Sequence, residues 1–150
     1  MVKTIVVLRH AHRDTTLRST DNGLSPKGRE QVQKLIQTYK KGELPKGVQF
    51  WSSPKIRCQE TIEPLCQSHD IKLKIEPLLN EQTDTESSKE FNKRIDVLAQ
   101  KVKSVDDTLY VCSHGDVIPE LIQNLTGYSV DLRKAQAAVL LKKGDRWMLA

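Results

Sequence analysis

Ile5-Val6-Val7-Leu8-Arg9-His10-Ala11 is the stretch on which the reading of the fold turns. Four consecutive large apolar side chains bounded by polar ones have the pattern of a strand covered on both faces, as in a parallel sheet. Open α/β sheets hold their ligands outside the carboxyl ends of such strands. Here that end carries a cation and an imidazole. The arrangement recurs about a hundred residues later, where Thr108-Leu109-Tyr110-Val111-Cys112 runs into Ser113-His114-Gly115. A third polar anchor, Arg57, follows Trp51-Ser52-Ser53-Pro54-Lys55-Ile56. Two histidines and two arginines at strand-to-helix junctions describe a pocket for phosphate with a nucleophile in it.

Outward from these junctions the chain alternates strand and helix patterns, the signature of an α/β sheet. The first strand is expected at about 3–8, followed by a long polar connection, 9–24. Ser25-Pro26 then supplies an N-cap with proline at the first helical position. That helix carries Val32, Leu35, Ile36 and Tyr39 on one face and should end near Gly42. A strand follows at about 48–51, and Ser53-Pro54 repeats the start signal for a helix bearing Ile56, Thr61, Ile62 and Leu65. The alternating Ile71-Lys72-Leu73-Lys74-Ile75 reads as a half-exposed edge strand, and the acidic 76–87 as a loop. Phe91, Ile95, Leu98 and Val102 mark a third helix, 108–113 a fourth strand and about 116–126 a fourth helix. Ala137 to Lys142, a Lys143-Gly144-Asp145 turn and Arg146 to Leu149 read as a closing hairpin. The expectation is one domain over 1–150, a three-layer αβα sandwich whose mostly parallel sheet ends in an antiparallel hairpin.

A chain of 150 residues can bury a sizeable core. Its formal charge of +5 favours anionic partners without choosing among them. The start, Met1-Val2-Lys3-Thr4, enters a strand directly, so no leader is expected. No apolar run approaches the roughly 20 residues of a spanning helix, so no membrane partner is expected either. Cys58, Cys66 and Cys112 are odd in number and lack C-x-x-C spacing, which fits a reducing cytoplasm and three small buried hydrophobes. A basic stripe without interleaved aromatics makes nucleic acid an unlikely partner.

Arg57 stands out because a cation in the first turn of a helix opposes the macrodipole, by roughly 0.3–1 kcal/mol. The same helix end suits an anion. An arginine there makes sense with a dianion between it and the backbone donors; the alternative is a side chain stretched into water. His10 beside Arg9 offers a neutral imidazole able to attack phosphorus and hold it as phosphohistidine. Neighbouring cations favour the neutral ring. Arginine suits the partner role because its fork grips two phosphate oxygens at once. His114, ending another buried strand, can donate to the same phosphate.

These residues resemble the histidine phosphatase superfamily, the phosphoglycerate-mutase-like fold. Arg9-His10-Ala11 matches its R-H-G/A opening, and Leu24-Ser25-Pro26-Lys27-Gly28-Arg29-Glu30-Gln31 its L-[ST]-x-x-G-x-x-Q segment. Ser52-Ser53-Pro54-Lys55-Ile56-Arg57-Cys58-Gln59-Glu60-Thr61 matches S-S-P-x-x-R-x-x-x-T, and Ser113-His114-Gly115 the late S-H-G. The resemblance implies that His10 is the phosphorylated nucleophile and that Arg9, Arg57 and His114 form the phosphate pocket. It implies a general acid in an L-x-E segment after the third strand, which Leu79-Asn80-Glu81 fits, with Asp116 as the reserve candidate. Such an acid must be protonated beforehand, which a phosphate dianion beside it favours. Ala11 in place of glycine resembles the short SixA-type phosphohistidine phosphatases, and its Cβ keeps φ negative. Arg13 resembles the extra phosphate-binding arginine of the acid-phosphatase branch, although Asp14-Thr15 lacks the proline that branch has. The segments around Arg57 and His114 also resemble the phosphatase-like domain fused to some Nudix hydrolases. The short interval from Arg57 to His114 leaves little room for a mutase lid, and an open site favours hydrolysis.

The resemblance thus implies a phosphatase that needs no cofactor and no metal, acting on phosphomonoesters of small molecules. A SixA-like protein phosphohistidine phosphatase, with a phosphoprotein partner, is the alternative. A phospho-ligand binding module that does not turn over is a third reading, against which the intact His10 argues. His10-Ala11-His12-Arg13-Asp14 also matches the H-x-H-x-D of two-metal hydrolases, but Thr15 stands where a further histidine is needed and only His69 and His114 remain. No cysteine has an arginine six positions on, and no Gly-Lys-[Ser/Thr] phosphate loop occurs.

Overall fold

The computed structural model describes residues 3–150; Met1 and Val2 lie outside the described residues. The deciding apolar run forms β1 (Lys3–Arg9), followed by α1 (Pro26–Lys40), β2 (Gln49–Ser52), α2 (Ile56–Gln67) and β3 (Lys74–Ile75). Then come α3 (Ser88–Lys103), β4 (Leu109–Ser113), α4 (Val117–Thr126), β5 (Ala137–Lys143) and β6 (Arg146–Leu149). The strands make one sheet in the order β3-β2-β4-β1-β5-β6. β1, β4, β2 and β3 run parallel, and β5 and β6 add the antiparallel hairpin beside β1. The expected α/β architecture is thus present, with β1 and β4 at its centre.

Strand periodicity of two sorts the core into the layers of the sandwich. Ile5 and Val7, with Leu109, Val111 and Trp51, pack against Phe91, Ile95, Leu98, Ile118 and Leu121 of α3 and α4. Val6 and Leu8, with Phe50, Tyr110 and Cys112, pack against Leu35 and Tyr39 of α1 and Ile62 and Leu65 of α2. Both faces of β1 are therefore dry, which is why it reads as a continuous apolar run. The three cysteines are free and buried in this core.

The ends of the helices follow their capping residues. Ser25 caps α1, its hydroxyl accepting from the Gly28 N–H, with Pro26 at the first position. A reciprocal capping box of Ser87 and Glu90 opens α3, a pair worth about 1 kcal/mol. Three expectations need correction. First, α2 starts at Ile56 with Lys55 at the cap, not at Ser53-Pro54. Ser53 spends its hydroxyl on His114, and Asp21 from the distant 9–24 connection takes the Ile56 N–H instead. Secondly, β3 covers 74–75 only, because β2 offers partners for just two residues, Trp51 and Ser52. Ile71 and Leu73 keep their apolar role by packing on the α1/α2 face. Thirdly, 76–87 is no simple polar loop. Pro77–Leu79 forms a 3-10 turn capped by the Glu76 carboxylate, and Leu79 is fully buried.

Candidate active site

The β1–β4 register places Arg9 opposite Ser113, so the next residue of each strand is a histidine. The His10 N–H donates to the Ser113 carbonyl, and the two rings lie 5.3 Å apart between centroids. On the other flank of β4, the Ser53 N–H donates to the Cys112 carbonyl. Three strand ends thus bring His10, His114 and Ser53 together. All three are buried.

The hydrogen bonds of each ring fix its tautomer. His10 Nδ1 lies 2.7 Å from the Ala11 carbonyl, which can only accept, so Nδ1 carries the hydrogen and Nε2 keeps the lone pair. Ala11 is itself pinned: its N–H donates to Thr61 Oγ1, whose hydroxyl donates to the Arg57 carbonyl. Its φ is not positive, as the sequence led us to expect. His114 differs. Its Nδ1 faces Arg57 Nη2 at 3.4 Å, a donor, which leaves Nε2–H to donate to Ser53 Oγ at 2.8 Å. Cys58 Sγ sits 3.6 Å from the same Nε2.

Two guanidiniums flank the rings, that of Arg57 buried and that of Arg9 half-buried. Arg57, in the first turn of α2, is 3% exposed and donates through Nη2 to Glu81 Oε2 at 2.7 Å. Arg9 donates through Nη1 to the Leu132 carbonyl and lies against Gly115, where a Cβ would come within 3.0 Å of its Cζ. Among the described residues the Nε of each arginine is buried with no hydrogen-bond partner. Buried donors are rarely left so; Arg13 Nε shares this state away from the rings, whereas these two stand with a pair of imidazoles and offer donors to an anion.

Burial dominates the titration of both rings. His10 is lowered to about 4, by desolvation first and then by Arg57, Arg9 and Lys134, against an opposing contribution from the Ala11 carbonyl. His114 is lowered to about 2, again by desolvation first, then by Arg57 and His10. Both are neutral at physiological pH, so His10 presents a lone pair there.

Glu81 forms one wall of the mouth, its side chain 37% exposed. Its Oε2 lies 3.9 Å from His114 Nδ1, and its Oε1 4.0 Å from Lys55 Nζ. Arg94 of α3 builds this wall. Its Nη1 donates to the carbonyls of Leu78 and Asn80, while Nε and Nη2 hold the Glu86 carboxylate. Asp116, the reserve acid, accepts from the Gln82 N–H at 2.9 Å and so braces the same segment.

The structure does not bring Arg13 to the pocket residues. It pairs with Leu24 in an antiparallel bridge and donates through Nη2 to the carbonyls of Arg18 and Thr20. The H-x-H-x-D pattern likewise faces three ways. His12 Nδ1 meets Ser25 Oγ at 2.6 Å, and Asp14 accepts from the backbone and hydroxyl of Thr16. Among the described residues no group of three or more His, Cys, Asp or Glu side chains is arranged to hold a metal ion. The Leu24–Gln31 motif instead clamps the loop after His10. Gln31 accepts from the His12 N–H, and Gly28 lies so close that a Cβ would stand 2.0 Å from the His12 carbonyl oxygen.

Sequence reasoning missed Arg94, Asp21, and the contacts of Ser53 and Cys58 with His114. Ser53 does carry a signal, but it is that of a helix cap. Arg94 carried none, since a helical arginine on a polar face looks like any solvated one.

Residues 5–84 match the histidine phosphatase superfamily (branch 1). The chain belongs to that family. It is 32% identical over 126 residues to the 8-oxo-(d)GTP phosphatase of Mycolicibacterium smegmatis, a match covering 81% of this chain but only 37% of that protein's length. Its fold is that of phosphoglycerate-mutase-like proteins. The Bacillus anthracis phosphoglycerate mutase superposes with a TM-score of 0.82 at 16% identity, covering 99% of this chain and 92% of that one. The Entamoeba histolytica phosphoserine phosphatase, in complex with phosphoserine, superposes with a TM-score of 0.79 at 16% identity, covering 98% and 94%. No described helix is long and apolar enough to cross a membrane.

Proposed function

We propose that this chain is a phosphatase that hydrolyses small phosphomonoesters through a covalent phosphohistidine on His10, without a metal ion. The observation that carries the reading is the free Nε2 of a buried, neutral His10 beside two guanidiniums with unpartnered Nε groups. The phosphate oxygens take the guanidiniums of Arg9 and Arg57, which neutralise charge spread over the equatorial oxygens as phosphoryl transfer proceeds. Arg57 exchanges Glu81 for the phosphate, and Glu81, now beside a dianion rather than a cation, is favoured in its protonated form.

His10 Nε2 attacks phosphorus. The N–P bond forms as the P–O bond to the alcohol breaks, and Glu81 gives its proton to the leaving oxygen. Water then attacks phosphorus, Glu81 takes its proton, the N–P bond breaks and orthophosphate leaves. Once Arg57 turns to the phosphate, His114 shifts its hydrogen to Nδ1 and directs it at the phosphate, while the Ser53 hydroxyl, which can donate as well as accept, donates to Nε2.

The position of Glu81 favours oxygen esters over protein phosphohistidine, because a P–N leaving group needs less protonation by an acid than an alkoxide does. The Mycolicibacterium relative, named for acting on a nucleoside triphosphate, supports an anionic small-molecule substrate over a phosphoprotein. A purely binding module has no use for a free Nε2. The test is to quench the enzyme during turnover of p-nitrophenyl phosphate and look for the adduct. An acid-labile, base-stable phosphoryl group on the peptide bearing His10 is expected. Full turnover with no such adduct overturns the mechanism.

A further inference from the structure

Glu81 sits on a loop, where backbone is ordinarily free to move, but here side chains hold the chain on both sides of it. The carbonyls of Leu78 and Asn80 accept from Arg94 Nη1 at 2.7 and 2.8 Å, and the Leu79 carbonyl between them accepts from the buried Ser113 hydroxyl at 2.6 Å. On the far side of Glu81 the Gln82 N–H donates to Asp116 Oδ2 at 2.9 Å. Side chains from α3, the end of β4 and the start of α4 thus converge on the residues before and after one glutamate. The Ser113 carbonyl also accepts from the His10 N–H. One residue therefore spaces the acid segment from the nucleophile.

Asp116 forgoes a local bond to do this. It stands at the start of α4, where an aspartate side chain ordinarily caps the first turn, yet its side chain makes no capping bond there. Its oxygen goes to the Glu81 segment instead. Arg94 is committed in the same direction. Its Nε and Nη2 hold the Glu86 carboxylate at 2.8 and 2.9 Å, so both ends of the 78–86 segment meet on one guanidinium. The Gln82 side chain donates to the Glu86 carbonyl at 3.1 Å and draws the middle of the segment in. Among the described residues neither Asp116 nor Arg94 hydrogen-bonds to Arg9, His10, Arg57 or His114. They stand behind the acid, outside the pocket.

A carboxyl that must leave Arg57 and meet a leaving oxygen needs a fixed pivot, because proton transfer requires a heavy-atom separation of roughly 2.6–3.2 Å. We propose that Asp116 and Arg94 are positioning residues that supply this pivot, and that Asp116 moves no proton itself. This rests on the phosphatase reading and deepens it: two residues outside the pocket set how well Glu81 protonates an alkoxide. An activated phenolate, which leaves without a proton, should not feel them.

The experiment compares β-glycerol phosphate with p-nitrophenyl phosphate on the full chain. Asp116→Ala should lower kcat for β-glycerol phosphate about tenfold and leave p-nitrophenyl phosphate within about twofold, since misplacing a catalytic group by ~1 Å costs up to about 10²-fold. Asp116→Asn removes the ionisable group but keeps an acceptor for the Gln82 N–H, and should restore the wild-type rate. Arg94→Met should repeat the selectivity of Asp116→Ala. Hydrogen exchange, which needs no turnover, should show faster loss of the Gln82 amide in Asp116→Ala and wild-type protection in Asp116→Asn. The proposal is overturned if Asp116→Asn is as slow as Asp116→Ala on β-glycerol phosphate, or if Asp116→Ala slows both esters alike or neither. A wild type that protects the Gln82 amide through Asp116 but hydrolyses neither ester overturns the phosphatase reading instead, and the donor that the brace would serve goes with it.

Discussion

The ends of β1 and β4 look alike in sequence, each a buried apolar strand running into a histidine and a small residue, and their imidazoles lie 5.3 Å apart. Their bonding separates them. His10 uses one nitrogen on the carbonyl of its own neighbour and leaves Nε2 unengaged. His114 has both nitrogens occupied, by Ser53 on one side and Arg57 on the other. A ring with a free lone pair can be a nucleophile; a ring held at both nitrogens can only position charge or donate a hydrogen bond. Burial is shared between the two. Hydrogen bonding tells them apart.

The sharpest way to break this comparison is to replace each ring in turn. His10→Asn should abolish turnover of p-nitrophenyl phosphate, a loss of about 10⁴-fold or more, because no other group can carry the phosphoryl. His114→Asn should slow it less, by about 10²- to 10³-fold, as for removal of one preorganised donor, and the adduct on His10 should still be trappable. Trapping after quench decides it. If the adduct survives in His10→Asn and disappears in His114→Asn, the assignment of roles is reversed.

The same two strands show how much was legible in the chain. Apolar runs ending in Arg-His and Ser-His specify strand centre and strand end together, because burial on both faces forces continuity and the sheet fixes where its carboxyl edge lies. That is why the convergence of Arg9, His10, Arg57 and His114 on one edge of the sheet could be anticipated. Residues reached through tertiary contacts were hidden. Ser53 carries a helix-start signal, yet its hydroxyl finds His114 across a strand boundary, and the Ile56 N–H at the helix start is taken by Asp21, 35 residues before it. Arg13 carries a phosphate-binding pattern, yet its guanidinium closes a loop. Local propensity cannot see a partner that only the folded chain brings near.

Glu81 belongs to the second kind of region, a wall of loop segments held by Arg94 rather than a strand end. Its expected effect is therefore smaller and depends on the leaving group. Glu81→Gln should slow esters of aliphatic alcohols by about 10²-fold or more, within the range for general acid catalysis. It should change p-nitrophenyl phosphate far less, since nitrophenolate leaves without a proton. The slope of log kcat/KM against leaving-group pKa should steepen in the variant. An equal loss for every ester moves Glu81 out of the acid role and into placement of Arg57, which it touches at 2.7 Å.

The smallest effect is on stability, and it returns to the two rings. Each is buried neutral, so its folded pKa lies below the ordinary 6.5, at about 4 for His10 and about 2 for His114. The unfolded state then binds more protons as pH falls. The stabilisation from keeping a ring neutral is complete above pH 6.5 and is lost on acidification toward the folded pKa, at up to about 1.4 kcal/mol per pH unit for each ring. Between pH 6.5 and 4 the two rings should contribute alike, on the order of 2–3 kcal/mol each by that arithmetic. Below pH 4 only His114 should continue. Urea unfolding of the wild type, His10→Asn and His114→Asn across this range reads the difference directly. Both variants should flatten the acid limb equally above pH 4, and only His114→Asn should flatten it further below. A limb steeper in either variant than in the wild type means that the ring is charged in the folded protein, and a charged His10 has no lone pair with which to attack phosphorus.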